Sequence, residues 1–206
     1  YSRSFSFSTP LAIEFDGQTQ IISAGSNAVC SYDPATGAEL WRVTYGPKWS
    51  IVPRPVYSHG LAFVCTGYEG PAELLAIRPD GTGDVTDTHV QWRVNKFVPY
   101  NPSLLAIGDR IYSVSGNGIA TARDIETGRL IWRERLGGNY SASPVYADGT
   151  IYLLSEEGIA TAIEPGDEYR ELATNDFSER TFASFAVTNR AIIARTEGHL
   201  YRIESL

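Results

Sequence analysis

The sequence predicts an all-β chain made of repeated, four-stranded antiparallel units, and three observations carry that expectation. A short apolar run recurs behind Pro10, Pro55, Pro102 and Pro144, and again at Phe185 where the proline is lost, at intervals of 41–47 residues. That period suits four short strands better than two helices. Turn dipeptides punctuate every unit, and no stretch keeps the 3.6-residue apolar spacing of a helix over ten residues. Stacked radially, such units make a β-propeller.

In each unit the run after the proline is the first strand. It ends in a tight turn at Asp16-Gly17, His59-Gly60, Gly108-Asp109, Asp148-Gly149 or Thr188-Asn189. Gly and Asp tolerate the positive φ that two-residue hairpins demand. Residues 111–115, 151–155 and 191–195, rich in Ile and Tyr, read as second strands. Gly116-Asn117-Gly118 and Glu156-Glu157-Gly158 turn the chain into third strands at 119–123 and 159–163. The third turn runs over residues 33–37 and 124–128, each opening on Asp and closing on Gly. The Asp carboxylate accepts a backbone N–H there and the Gly supplies a left-handed residue. The fourth strand carries a tryptophan, Trp41 or Trp132, at the same distance from that Asp; the second unit places Trp92 after a six-residue insertion.

These boundaries give one propeller domain over 1–206, with repeats at about 9–50, 51–97, 98–139, 140–179 and 180–206. The last repeat has three strands, and residues 1–8, where Phe5 and Phe7 alternate with Ser4, Ser6 and Ser8, are placed to complete it as a fourth. That closure gives about five blades. The competing arrangement makes the chain part of a seven- or eight-bladed ring, whose raw edges would promote self-association. In either case a four-stranded sheet is unstable alone and must stack on its neighbours. The repeated indoles are expected to fill the wedge between blades.

The net charge of −7 argues against a nucleic-acid or anionic-membrane surface, since both call for clustered positive charge. No run of 18 apolar residues exists, so no membrane-spanning helix is expected. The N-terminal residues lack the apolar core of a signal peptide. Cys30 and Cys65 each sit inside an apolar run and read as buried thiols rather than a disulfide framework. There is no Ser nucleophile elbow, no His-Glu-x-x-His and no phosphate-cradling glycine loop.

The stretch Ala-Thr-Ala-Arg-Asp-Ile-Glu-Thr-Gly-Arg-Leu-Ile-Trp at 120–132 resembles the tryptophan-docking motif of pyrroloquinoline-quinone-type (PQQ-like) repeats. Ser-Tyr-Asp-Pro-Ala-Thr-Gly-Ala-Glu-Leu-Trp at 31–41 looks like a second copy. The resemblance covers almost the whole chain. It implies a propeller of the kind found in quinoprotein dehydrogenases and in the cofactor-free scaffold lipoprotein of the outer-membrane protein assembly machine. Quinoproteins of this family also resemble one another in a vicinal Cys-Cys pair, a stacking Trp and a Glu/Asn/Asp calcium set. Here Cys30 and Cys65 fall in different repeats, so the vicinal pair is absent. No cofactor is therefore expected, with PQQ or calcium the alternative.

In a propeller the loops from fourth to first strand and from second to third strand share one face. Trp49, Arg54, Tyr68, Tyr100, Asn101, Asn139 and Tyr140 are the ligand-binding candidates there, with Glu69, Asn117, Glu156, Arg180 and His199 nearby. Aromatic and charged groups together suit recognition of a peptide or a sugar. The inserted loop of the second unit carries Asp80, Asp84 and Asp87, a superficial match to a calcium loop without EF-hand spacing or a closing Glu. The insertion is therefore read as a self-capped Asp/Gly/Thr loop, with a metal site at those aspartates the alternative, and His59 and His89 fall on the same side of that unit. The reading that results is a non-catalytic scaffold binding a protein or a small-molecule or glycan ligand, in an extracytoplasmic or periplasmic bacterial setting. The alternatives are a quinone- or calcium-dependent oxidoreductase and a carbohydrate-binding propeller.

Overall fold

The computed structural model describes residues 5–68 and 70–204, which fold as two compact units. Unit one holds residues 1–100 with 125–129, and unit two holds 101–124 with 130–206. Every regular element among the described residues is a β-strand.

Unit one contains β1 (Leu11–Phe15), β2 (Gln18–Ala24), β3 (Ala28–Tyr32), β4 (Glu39–Thr44), β5 (Val56–Ser58), β6 (Leu61–Cys65), β7 (Leu74–Ile77), β8 (Gly83–Asp84) and β9 (Val90–Val94). They form two antiparallel meanders, β1-β2-β3-β4 and β5-β6-β7-β9. Strand β8 leaves the second meander and lies parallel to Trp41 and Arg42 on the outer edge of β4. The β1–β2 turn is as the sequence predicts, with Asp16 at φ 48° and Gly17 at φ 76°. Strands β6 and β7 are buried along their whole length, as inner strands covered on both faces must be. Ile13, Ile22, Val29, Trp41 and Val43 pack with Val64, Leu75, Ile77 and Val85 in one core.

Unit two contains β10 (Leu105–Ile107), β11 (Arg110–Val114), β12 (Ile119–Asp124), β13 (Leu130–Arg135), β14 (Val145–Ala147), β15 (Thr150–Leu154), β16 (Ile159–Ile163), β17 (Glu171–Asp176), β18 (Ala186–Val187), β19 (Ile192–Arg195) and β20 (Leu200–Ile203). These make two four-stranded meanders and a three-stranded sheet, β18-β19-β20. Phe5–Ser8 do not add a strand to that last sheet. They run beside Ile51 in unit one, Ser6 bridging Ile51 in parallel, while residues 1–4 of the expected strand lie outside the described residues. The seryl hydroxyls explain this placement, because Ser6 and Ser8 donate to the Ala24 and Pro53 carbonyls at 2.6 and 2.8 Å.

The three fourth-strand tryptophans occupy one register. Trp41 pairs with Ser31, Trp92 with Ala76 and Trp132 with Ala122, each beside a β-bulge. Indole Nε1–H of Trp92 donates to the Ile125 carbonyl at 3.1 Å, and that of Trp132 to the Gly166 carbonyl at 3.0 Å. Both acceptors belong to turns leading into a fourth strand, so the indole fastens one sheet to the turn of the following repeat. The Trp92 ring also lies on Gly128, where an added Cβ would come within 2.7 Å of it. Trp41 faces the inserted turn of the second repeat, and its bond goes through an intermediary. Its Nε1–H donates to Gln20 Oε1 at 3.0 Å, and Gln20 Nε2–H donates to the Pro79 carbonyl at 3.1 Å. The fourth repeat has Ala173 opposite Ala162 where the others have Trp, and all six residues of β17 are exposed.

Candidate functional site

Three of the predicted face residues form a single aromatic stack in unit one. The Trp49 and Tyr68 rings lie 5.3 Å apart, and Tyr68 stacks on Tyr100 at 4.3 Å with an interplanar angle of 16°. Sequence reasoning missed the far end of the row, where Phe5 meets Trp49 edge-on at 6.3 Å and Phe7 meets Phe5 at 5.4 Å. Five rings thus run in series along connecting segments rather than strands.

The backbone sets their positions. Trp49 and Tyr68 exchange both main-chain hydrogen bonds, at 3.0 and 2.9 Å, so the two loops pair as a minimal β-bridge. That pairing depends on Gly67, since a Cβ there would stand 2.4 Å from the Trp49 carbonyl oxygen and 2.5 Å from Ile51 Cδ1. Tyr100 is held by its hydroxyl, which donates to the Gly70 carbonyl and accepts from the Ala72 N–H, both at 3.3 Å. Burial raises the Tyr68 phenol above its ordinary value, with Tyr100 adding to the effect. Arg54 is exposed on the Trp49 connection, and Glu69 lies outside the described residues.

The remaining candidates belong to unit two. Tyr140 is a correction to the expected ligand face, because it is only 2% exposed and packs with Tyr112, Val114 and Trp132. Its N–H donates to the Gly116 carbonyl, which turns the ring inward. Burial, with the Glu157 charge nearby, pushes its phenol up to about 12. Asn139 is exposed, yet its side chain is committed: Nδ2 and the backbone N–H both donate to the Glu157 carboxylate at 3.1 Å. Desolvation works against ionised Glu157, but those bonds prevail and hold its carboxyl below the ordinary 4.5. Glu179 is lowered too, first by the Thr196 hydroxyl, with His199 Nδ1 at 2.5 Å contributing. Asn101 is half-buried.

The inserted loop caps itself. Asp84 accepts from the Thr86 N–H at 3.0 Å and hydroxyl at 2.6 Å, which lowers its carboxyl, while Asp80 faces Arg78 and His89 at 3.7 and 3.5 Å. Asp87 is exposed, and among the described residues no three His, Cys, Asp or Glu side chains gather as metal ligands. Cys30 lies in β3 and Cys65 in β6, and burial raises both thiols. Cys65 is buried as expected but Cys30 is only half-buried, and thiols on separate sheets do not make a vicinal pair over a quinone; among the described residues no acidic set stands ready for calcium. The residues present do not fit the PQQ–calcium group.

With this geometry in view, comparison with known proteins is decisive for kinship. The sequence profile described as outer membrane protein assembly factor BamB matches residues 25–170. The chain belongs to that family. Its fold is a β-propeller of PQQ-like repeats. The crystal structure of BamB from Moraxella catarrhalis superposes with a TM-score of 0.69 at 16% identity, over 93% of this chain and 59% of that one. BamB from Burkholderia pseudomallei (strain K96243) is 28% identical over 130 residues, 61% of this chain and 32% of its own length. Lupanine 17-hydroxylase [cytochrome c] from Pseudomonas sp is 30% identical over 138 residues, 59% of this chain and 20% of its own length. The chain therefore spans a fifth to a third of the curated relatives it matches. The chain is thus similar both to BamB and to a lupanine hydroxylase, and among the described residues no helix is long and apolar enough to cross a membrane.

Proposed function

We propose that this chain is a non-catalytic, protein-binding propeller segment, serving as a scaffold in bacterial outer-membrane protein assembly on the extracytoplasmic side. The observation that carries the reading is the stack of Trp49, Tyr68 and Tyr100, part-exposed rings brought together on connecting loops. Aromatic rings offer large contact area at small entropic cost and dominate protein interfaces. Arg54 on the same connection adds a charged group able to steer a partner. Membership of the BamB family supports the choice of a protein rather than a glycan as ligand.

The kinship with a lupanine hydroxylase favours a second reading, part of a quinone-dependent oxidoreductase. The placement of Cys30 and Cys65 counts against it. The test is binding of the purified chain to a bacterial outer-membrane assembly complex stripped of its own BamB. The proposal predicts saturable binding weakened about tenfold or more by Trp49→Ala or Tyr100→Ala, as loss of a central aromatic contact entails. Undiminished binding by both variants, or none by the wild type, overturns it.

A further inference from the structure

We infer that residues 49–53 form a docking strip for an extended polypeptide with aromatic residues at alternate positions and small polar residues between them. In this chain the strip is held in cis by the segment Phe5–Ser8. The inference rests on the protein-binding reading above and names the site and the partner's chemistry.

The seated segment shows what the strip selects. Ser50 N–H donates to the Phe5 carbonyl at 3.0 Å and Phe7 N–H donates to the Ile51 carbonyl at 2.7 Å, clasping Ser6 in an isolated parallel bridge with Ile51. Such main-chain bonds accept any sequence, so selectivity falls to the side chains. In extended backbone these alternate between two faces. One face must be small and polar: the Ser6 hydroxyl reaches the Ala24 carbonyl at 2.6 Å and that of Ser8 the Pro53 carbonyl at 2.8 Å. The other face is aromatic, with Phe5 placed edge-on against Trp49.

The strip is braced from the side away from the segment. Ile51 is fully buried, and Gly67 lets the β6–β7 loop press on it from behind. Ser50 is held at φ 56°, a left-handed conformation that costs a non-glycine residue energy and that coincides with the N–H it offers to Phe5. The cis occupant is loosely held by contrast. Phe5 and Phe7 remain 42% and 66% exposed, so little apolar area holds them down. A segment in trans with deeper aromatic contacts can displace it, and the cis segment then acts as an intramolecular competitor whose effective concentration is on the order of millimolar.

The test uses a fluorescein-labelled peptide, Ser-Phe-Ser-Phe-Ser-Thr-Pro, copied from residues 4–10. Fluorescence anisotropy reads its binding to the full chain, to the F5S/F7S variant, and to F5S/F7S carrying W49A in addition. Both phenylalanines are exposed and outside the core, and near-ultraviolet circular dichroism checks that the fold is kept. Removing the competitor is expected to tighten binding about tenfold, and adding W49A to weaken it about tenfold again. A peptide with both Phe changed to Ser is expected to lose binding. Equal affinity for wild type and F5S/F7S, indifference to W49A, or no binding to F5S/F7S overturns the inference. Failure of the peptide with the assembly complex still bound overturns this strip alone and leaves the scaffold reading intact.

Discussion

Gln20 shows how much one polar side chain can carry in this chain. It is 4% exposed, and its amide accepts from the Trp41 indole and the Ser31 hydroxyl while donating to Pro79. Gln20→Ala strands all three partners in a buried setting, where an unmet hydrogen-bonding group is costly. Denaturant unfolding is expected to show a loss of about 2 kcal/mol, against less than ~0.5 kcal/mol for an exposed control such as Gln18→Ala. Nothing periodic in the sequence marks Gln20. The signal was indirect: Trp41 precedes a repeat whose turn is enlarged, so its indole needs a substitute acceptor. Tyr140 misleads in the opposite direction. Next to Asn139 and shortly before Pro144 it reads as a loop tyrosine, and only the long-range bond from its N–H to Gly116 turns it into the core. Turn chemistry put Trp49, Tyr68 and Tyr100 on neighbouring loops, and it is their stacking that the structure adds. Phe5 and Phe7 were read as strand residues instead.

At the level of elements, the strands and hairpin turns were readable because local chemistry repeats: a short apolar run, a Gly or Asp turn, a Trp in the fourth strand. Strand β8 was not. Two exposed residues, Gly83 and Asp84, have no apolar pattern, and their pairing with β4 is decided by the edge they cover. An open strand edge is a liability that a short added strand removes. The anchor is Val85, 3% exposed in the core beside β4, with its N–H donating to the Arg42 carbonyl at 2.9 Å. Val85→Ala is expected to cost about 2 kcal/mol and to raise amide exchange along β4, measurable by hydrogen–deuterium exchange. Unchanged protection at β4 would mean that β8 is not what shields it. Strand β17 has neither an indole nor a covering strand, and Ala173 at the Trp position leaves Leu172 48% exposed.

For the molecule as a whole, charge and cofactor chemistry give the sharpest expectations. Glu157 and Glu179 have carboxyls held below the ordinary 4.5 by hydrogen bonds that exist only in the folded chain. Their stabilising contribution is complete above pH 4.5 and disappears as the pH falls through the lowered folded values. Stability is therefore expected to drop below pH 4.5, and Glu157→Gln with Glu179→Gln to flatten that drop in urea titrations run at successive pH values. An unaltered slope would assign the acid sensitivity to other carboxylates. The family and propeller architecture were legible from the repeated tryptophan motif, because the same side chains that make the blades also define the kinship. Function was less legible for that reason: blade contacts are shared by scaffolds and by quinoproteins. Separating the two depends on where Cys30, Cys65 and the aspartates come to lie in space.

The proposed scaffold binds a partner at its surface and does no redox chemistry at a bound quinone. Titration of the chain with PQQ and calcium, followed by absorbance and by dye-linked alcohol oxidation, tests it most directly. No saturable spectral change and no turnover are predicted; stoichiometric quinone uptake with dye reduction would contradict the account.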